Sequence, residues 1–312
     1  MNSCNQQHHF AVFGDIHGRI ALMYTLALLW ENESGIKLSG LLQVGDMGAF
    51  PNPFKVDDAT QKYAEIDPDE LGFHKFCTQS EEGEFYLGRQ NTPNTYFIRG
   101  NHEDFDYLNS FSRPETVDPW QRLHFIPDGQ QITLFKHSKR QQLTIGGFGG
   151  IPPITEHLAR GKKARQKSRK AHRHVNIDRS FFSELKAKSA FNKSEKIDIL
   201  MTHAGPQCPD LQSGSIYLAE LAKRVRPKVH LFGHHHQVIG PCQGPGNSLL
   251  VGLEHLNFNK NGELKEGAWG ILTLSEDSAN FSFSSPKNLP FLKTVKRETY
   301  RSLLVDRNTS LD

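Results

Sequence analysis

Five short apolar runs, residues 10–13, 41–44, 95–98, 197–201 and 229–232, each lead into side chains that bind metals or move protons. The first run reaches Gly14, Asp15 and His17, the second Gly45 and Asp46, and the third Gly100, Asn101 and His102. The fourth reaches His203, and the last reaches Gly233, His234 and His236. Side chains alternate along an extended chain, so Asp15 and His17 can point the same way. The donors are carboxylate, imidazole and amide with no thiolate, a set suited to Mn²⁺, Fe or Zn²⁺. Seven ligands (Asp15, His17, Asp46, Asn101, His203, His234 and His236) exceed one tetrahedral ion and suit two ions sharing a carboxylate roughly 3.5–4 Å apart. His102 stands beside them as a further group that can bind a metal or move a proton. His235, between two ligands, is expected to turn away from them or line the cleft.

Parallel strands in an α/β sheet can gather such residues, because their carboxyl ends lie along one edge. Apolar positions at Ile20, Met23, Tyr24, Ala27 and Leu28 predict a helix with one face on a sheet, making residues 10–44 a parallel β-α-β unit. Residues 51–92, rich in acids including Asp57, Asp58, Asp67 and Asp69, read as a surface excursion with one helical stretch near 71–76. A strand at 131–135 and another at 143–145 precede the glycines of 146–150. That cluster lacks the lysine and spacing of a P-loop and is expected to form a tight turn beside the site. A helix over 216–225 follows, then strands at 249–253, 269–274 and 281–283 closing a second sheet. The expected organisation is one domain over 8–288, with surface insertions at about 51–92 and 155–195, and a peripheral tail at 289–312.

The net charge of +3 over 312 residues implies no particular polyanionic partner. Cys4, Cys77, Cys208 and Cys242 form no CxxC pair, which excludes a metal finger and suits free thiols. No segment reads as a signal peptide or a membrane span, so a cytoplasmic, membrane-free protein is expected. Residues 160–173 are strongly basic without a single acid. They form either a solvated insertion or a surface for an anionic macromolecule such as RNA, although no aromatic residue is interleaved to stack on bases.

The ordered set Gly14-Asp15-x-His17, Gly45-Asp46, Gly100-Asn101-His102-Glu103, Thr202-His203 and Gly233-His234-x-His236 resembles the calcineurin-like metallophosphoesterases. That resemblance implies a four-layer α-β-β-α sandwich of two mixed β-sheets with flanking helices. It places Asp15, His17 and His236 on one metal, Asn101, His203 and His234 on the other, and Asp46 between them. A shared hydroxide would attack phosphorus while His102 protonates the leaving oxygen. Some members of the family have lost ligands and serve as scaffolds; here none is missing, which favours an enzyme.

The first and third motifs are similar to the Ser/Thr protein phosphatase branch. That branch follows its bridging aspartate with Val-Asp-Arg-Gly, whose arginine holds phosphate, whereas this chain has Met47-Gly48-Ala49-Phe50. Arg19, Arg99 or Arg160 would have to replace that arginine, and Asn101 and His102 would also touch substrate. Ile145-Gly146-Gly147 is similar to the lariat-debranching branch, which the basic run would suit. The expectation from sequence is a Mn²⁺-dependent phosphomonoesterase acting on phosphoproteins or small phosphoesters, with a phosphodiesterase acting on RNA or nucleotides as the alternative.

Overall fold

Alternate residues of the central strands meet different neighbours, and this produces layers. The computed structural model describes residues 7–135, 142–153, 177–192 and 195–305. Its strands are β1 (His8–Phe13), β2 (Gly40–Gln43), β3 (Thr95–Phe97), β4 (Glu115–Thr116), β5 (Leu123–Phe125), β6 (Gln130–Leu134), β7 (Leu143–Phe148), β8 (Ile199–Thr202), β9 (Val229–Phe232), β10 (Ile239–Gln243), β11 (Leu249–Gly252), β12 (Trp269–Leu274) and β13 (Ala279–Phe283). They form two sheets, ordered β13-β12-β1-β2-β3-β5-β4 and β10-β11-β9-β8-β7-β6. Each has a parallel centre, β1, β2, β3 and β5 in one and β7, β8, β9 and β11 in the other, flanked by antiparallel strands.

Phe10, Val12, Leu42, Val44 and Ile98 of the first sheet pack on Ile145, Ile199, Met201, Leu231 and Val251 of the second. Each such side chain contributes about 1.5–3 kcal/mol by leaving water, which is what docks the sheets. Ala11, Phe13, Leu41 and Phe97 face the other way, onto α1 (Ile20–Ser34). Phe148 and Leu200 likewise meet Leu218, Leu221 and Ala222 of the helix Ile216–Val225. The outcome is the expected α-β-β-α sandwich.

Three features differ from the pattern read in the sequence. Strands β12 and β13 extend the first sheet rather than closing the second. The register Phe13↔Trp269 stacks those two rings with centroids 5.5 Å apart, a contact that hydropathy alone does not specify. The glycine cluster is mostly strand, since Gly146 and Gly147 lie within β7. A Cβ at Gly147 would come within 2.7 Å of Ile98, so the residue lets the two sheets approach.

The third difference concerns the segments expected to be peripheral. Residues 51–92 form α2 (Asp58–Ala64) and three short helical turns, and they bury Phe73, Phe76, Tyr86 and Leu87 against α1. The C-terminal stretch adds Leu292, Val295, Tyr300 and Leu304 to the same core. The physical reason lies in α1 itself. Leu22, Leu26, Leu29 and Trp30 fall outside its sheet-facing stripe, and a helix apolar on every side needs cover on its outer face. Even Thr25 is buried there, with its hydroxyl 3.1 Å from the Tyr86 hydroxyl. The basic run 160–173 lies outside the described residues. No helix among the described residues is long and apolar enough to cross a membrane.

Candidate metal centre

The donors collect where the carboxyl ends of the two parallel centres abut, so they come from two sheet edges rather than the one expected. Asp15, His17, Asp46, Asn101 and His102 follow β1, β2 and β3, while His203, His234 and His236 follow β8 and β9. His17, Asp46, His234 and His236 all adopt positive φ, between 42° and 62°. Left-handed backbone costs a non-glycine residue roughly 1–2 kcal/mol, and a cluster of such residues points to a functional site.

Asp46 is buried, and its Oδ1 accepts the backbone N–H groups of Asn101 and His102 at 2.6 and 2.8 Å. A Cβ at residue 100 would collide with that oxygen, which explains the glycine. Oδ2 is left facing the cleft, 3.7 Å from His17 Nε2 and 3.5 Å from His203 Nε2. One carboxylate oxygen thus lies between a histidine from each half of the set. Asp15 Oδ1 accepts the His234 backbone N–H at 3.0 Å, and its Oδ2 lies 3.0 Å from His236 Nε2.

The tautomer of His203 follows from its neighbours. Its Nδ1 is 3.1 Å from the Val44 carbonyl, which can only accept, so Nδ1 carries a proton. Its Nε2 lone pair then faces the Asn101 Oδ1 at 2.9 Å and Asp46 Oδ2. Lone pairs converging from a nitrogen and two oxygens repel unless a cation or another proton lies among them, and this donor set therefore fits a divalent metal. Without one, a proton fills the role: burial lowers the His203 pKa, but Asp46, with Asp15 and the Val44 carbonyl, more than offsets it and raises it to about 9. Burial likewise pushes Asp46 up, and the imidazoles led by His203 more than offset it, holding the carboxyl well below its ordinary value.

Two groups of donor atoms converge within 4.8 Å: Asp15, His17 and His236, and Asp15, Asp46 and His203. Asn101 joins the second through His203. His234 supports Asp15 by its backbone and sets its ring 5.1 Å from that of His203. Burial, then His203, drives the His234 pKa down to about 3, so its imidazole is neutral. His235 turns away, and its Nε2 accepts the Gly205 N–H at 3.0 Å, bracing the loop after His203.

His102 Nδ1 meets Asp57 Oδ2 at 3.1 Å. Asp57 is the N-cap of α2 and also accepts the Thr60 N–H and hydroxyl, which fixes its carboxylate. Burial lowers the His102 pKa, but Asp57 and Asp46 raise it to about 9. Glu103 accepts the N–H groups of Met47, Ala49 and Gly100, tying the Asp46 loop to the Asn101 loop. Sequence reasoning missed the partnership of Asp57 with His102, and also His255, whose ring lies 4.9 Å from His17 and 5.1 Å from His236. Asp57 reads in the sequence only as one of several surface acids, and His255 has no motif around it.

The phosphate-clamp expectation needs correction. Arg19 is only 1% exposed and donates to Asp67 and Glu70 at 2.8 Å each. Arg99 is committed to Asp128 at 2.7 and 2.9 Å and to the Arg179 carbonyl. Charge-assisted bonds to fixed carboxylates, Glu70 and Asp67 for Arg19 and Asp128 for Arg99, hold a guanidinium more firmly than a transient ligand can. Arg160 lies outside the described residues.

The family described as calcineurin-like phosphoesterase matches residues 8–238. Among curated proteins, the chain is similar to the lariat debranching enzyme of Caenorhabditis elegans, 25% identical over 211 residues that make up 66% of this chain and 38% of that protein. It is also similar to the lariat debranching enzyme of Caenorhabditis briggsae, 24% identical over 289 residues, 83% of this chain and 53% of that one. The chain thus spans about half or less of the length of these curated relatives. Similar solved structures include a conserved uncharacterized protein, a predicted phosphoesterase, from Streptococcus pneumoniae (TM-score 0.34, 10% identity, 90% and 91% of the two chains). Another is a phosphatase from Mycoplasma pneumoniae (TM-score 0.43, 10% identity, 91% and 97%).

Proposed function

The chain belongs to the calcineurin-like phosphoesterase family, and from that premise we propose that it is a two-metal phosphodiesterase whose substrate is a nucleic acid. Asp15, His17 and His236 would hold one cation, Asn101, His203 and His234 the other, and Asp46 both. When bound, the cations supply Lewis acidity toward a phosphoryl oxygen and make water acidic enough to act as a nucleophile near pH 7. Mn²⁺ suits the oxygen and imidazole donors, with Fe and Zn²⁺ as alternatives.

The chain's own residues divide the remaining work. His102 has its Nδ1 engaged by Asp57, so Nε2–H is the proton available to a leaving oxygen. Its raised pKa keeps that proton in place at neutral pH. The backbone N–H groups on Asp46 Oδ1 fix the carboxylate before anything binds, so no reorganisation is needed.

The preference for a diester over the phosphoprotein monoester expected from sequence rests on one observation, that Arg19 and Arg99 are both consumed internally. A monoester dianion presents more charge than a diester, and a clamp arginine is the usual means of balancing it. Two features support a nucleic acid. The basic run 160–173 would attract a polyanion, and the flanks of the segment that carries it meet at the Ile151–Phe181 bridge, beside Ser180, whose hydroxyl donates to the Asn101 carbonyl. The ring of Phe54, three residues before Asp57, is 96% exposed in a turn braced by Asn52 and gives a base a surface to stack on.

Mn²⁺-loaded protein should be assayed on an aryl phosphodiester, the matching monoester, a phosphoserine peptide and branched RNA. The diester and the RNA are expected to give the higher kcat/KM, and preference for the peptide or the monoester would overturn the diester reading.

A further inference from the structure

The loop carrying Asp15 and His17 is covered by the segment Pro68–Leu71, and the contact is close enough to need glycine on both sides. A Cβ at Gly18 would collide with the Asp69 and Glu70 carbonyls, and one at Gly72 would collide with the Gly18 carbonyl. The segment places a buried Glu70 against the site. Its Oε2 lies 3.8 Å from His17 Nδ1, and its Oε1 accepts Arg19 Nη2 at 2.8 Å. Arg19 also donates to Asp67, through Nε and Nη2. The C-terminal stretch closes the same network, for the Tyr300 hydroxyl donates to Asp69 at 2.6 Å and Arg301 donates to Asp69 as well.

These contacts give Arg19 a different task from the one its position suggested. Its guanidinium is bonded to both Glu70 and Asp67 in a buried site, which fixes the Glu70 side chain beside His17. The Nε2 of His17 points at Asp46, which leaves Nδ1–H as the edge that must be oriented. A ligating histidine whose other nitrogen faces a fixed carboxylate is held in one tautomer and one ring orientation.

We infer that Glu70, held by Arg19, is the positioning residue for His17, so that a carboxylate from the 51–92 insertion sets the affinity of the first metal position. This rests on the two-metal reading above but is read on metal binding, so it can fail while hydrolysis stands, and the reverse. Three metal-stripped proteins, wild type, Glu70→Gln and Asp67→Asn, are titrated with Mn²⁺, and free ion is followed by electron paramagnetic resonance. Both variants take a partner from Arg19, but only the first alters what faces His17.

For Glu70→Gln, one of two equivalents should weaken about 10- to 100-fold while the other stays within about threefold. Asp67→Asn should keep both equivalents near wild type even if its melting temperature drops. Equal weakening in both variants would reduce Glu70 to a general brace of the loop and overturn the proposal. Unchanged binding in Glu70→Gln would overturn it too. If Glu70→Gln fails to fold, Arg19→Lys replaces it as the test: loss of the same single equivalent supports the proposal, and retention of both refutes it. A wild type that binds no pair of ions would instead defeat the two-metal reading.

Discussion

The two sheets bring different chemistry to one cleft. The first supplies the carboxylates, the amide and the imidazole of His17, and it holds its central carboxylate by main-chain donors: Asp46 Oδ1 takes two backbone N–H groups from its own sheet's loop. The second supplies imidazoles held to different degrees, from the fully buried His203, with Nδ1 on the Val44 carbonyl and Nε2 at the Asn101 oxygen, to the half-exposed His236 on Asp15. Cross-links join the halves, since His234 donates its N–H to Asp15 and His203 reaches Val44 at the end of β2. The centre therefore exists only when the sheets are docked.

Loss of Asp46 should do the most damage, because it would strip a ligand from both proposed cations and leave two N–H groups unsatisfied. Asp46→Ala is expected to abolish tight binding of both Mn²⁺ equivalents and lower kcat/KM by roughly 10⁴-fold or more. Retention of either equivalent would break the assignment of Asp46 to both halves. His102→Ala should keep both ions and lose about 10²- to 10⁴-fold in rate, chiefly on esters with poor leaving groups. Equal losses on good and poor leaving groups would remove His102 from proton transfer.

The imidazole half can be divided within itself. His203→Ala and His236→Ala should each cost one metal equivalent, but only the former leaves a buried cavity and an unpaired Val44 carbonyl, a loss of about 2–4 kcal/mol. Its melting temperature should fall by roughly 5–10 °C, with His236→Ala close to wild type, as calorimetry of the metal-free proteins can show. Asp57→Asn is the mildest change. As the proposed proton donor, His102 would act only when protonated, so its rate contribution would be lost as pH rises through its pKa, raised to about 9 partly by Asp57. Removing that charge lowers the pKa and should move the alkaline limb of the pH–rate profile toward neutrality. A full return to the ordinary histidine value of about 6.5 sets the upper bound, a loss of roughly 30-fold in rate at pH 8. An unmoved limb would assign the titration to another group.

The layered architecture was legible because residues such as Val12, Leu42 and Ile199 sit in short apolar runs that end on glycine or a polar donor, a pattern local to each strand. Membership of a sheet was not. Trp269 chooses its sheet by stacking on Phe13 across more than two hundred residues, which no local pattern encodes. The site divides similarly. Asp15, His17, Asp46, Asn101, His203 and His236 converge as their motif spacing suggested, whereas Asp57, Glu70 and His255 come from segments whose sequence looks like ordinary polar surface. Arg19 shows the limit most clearly: its position beside His17 suggested a phosphate ligand, and only the buried pairing with Glu70 and Asp67 reveals a different role.

The most direct measurement is anomalous diffraction from crystals grown with Mn²⁺. Two peaks about 3.5–4 Å apart, one on each side of Asp46 Oδ2, are predicted, with His17 and His236 on one and Asn101, His203 and His234 on the other. A single peak, or a pair that does not share Asp46, would contradict a centre assembled from both sheets.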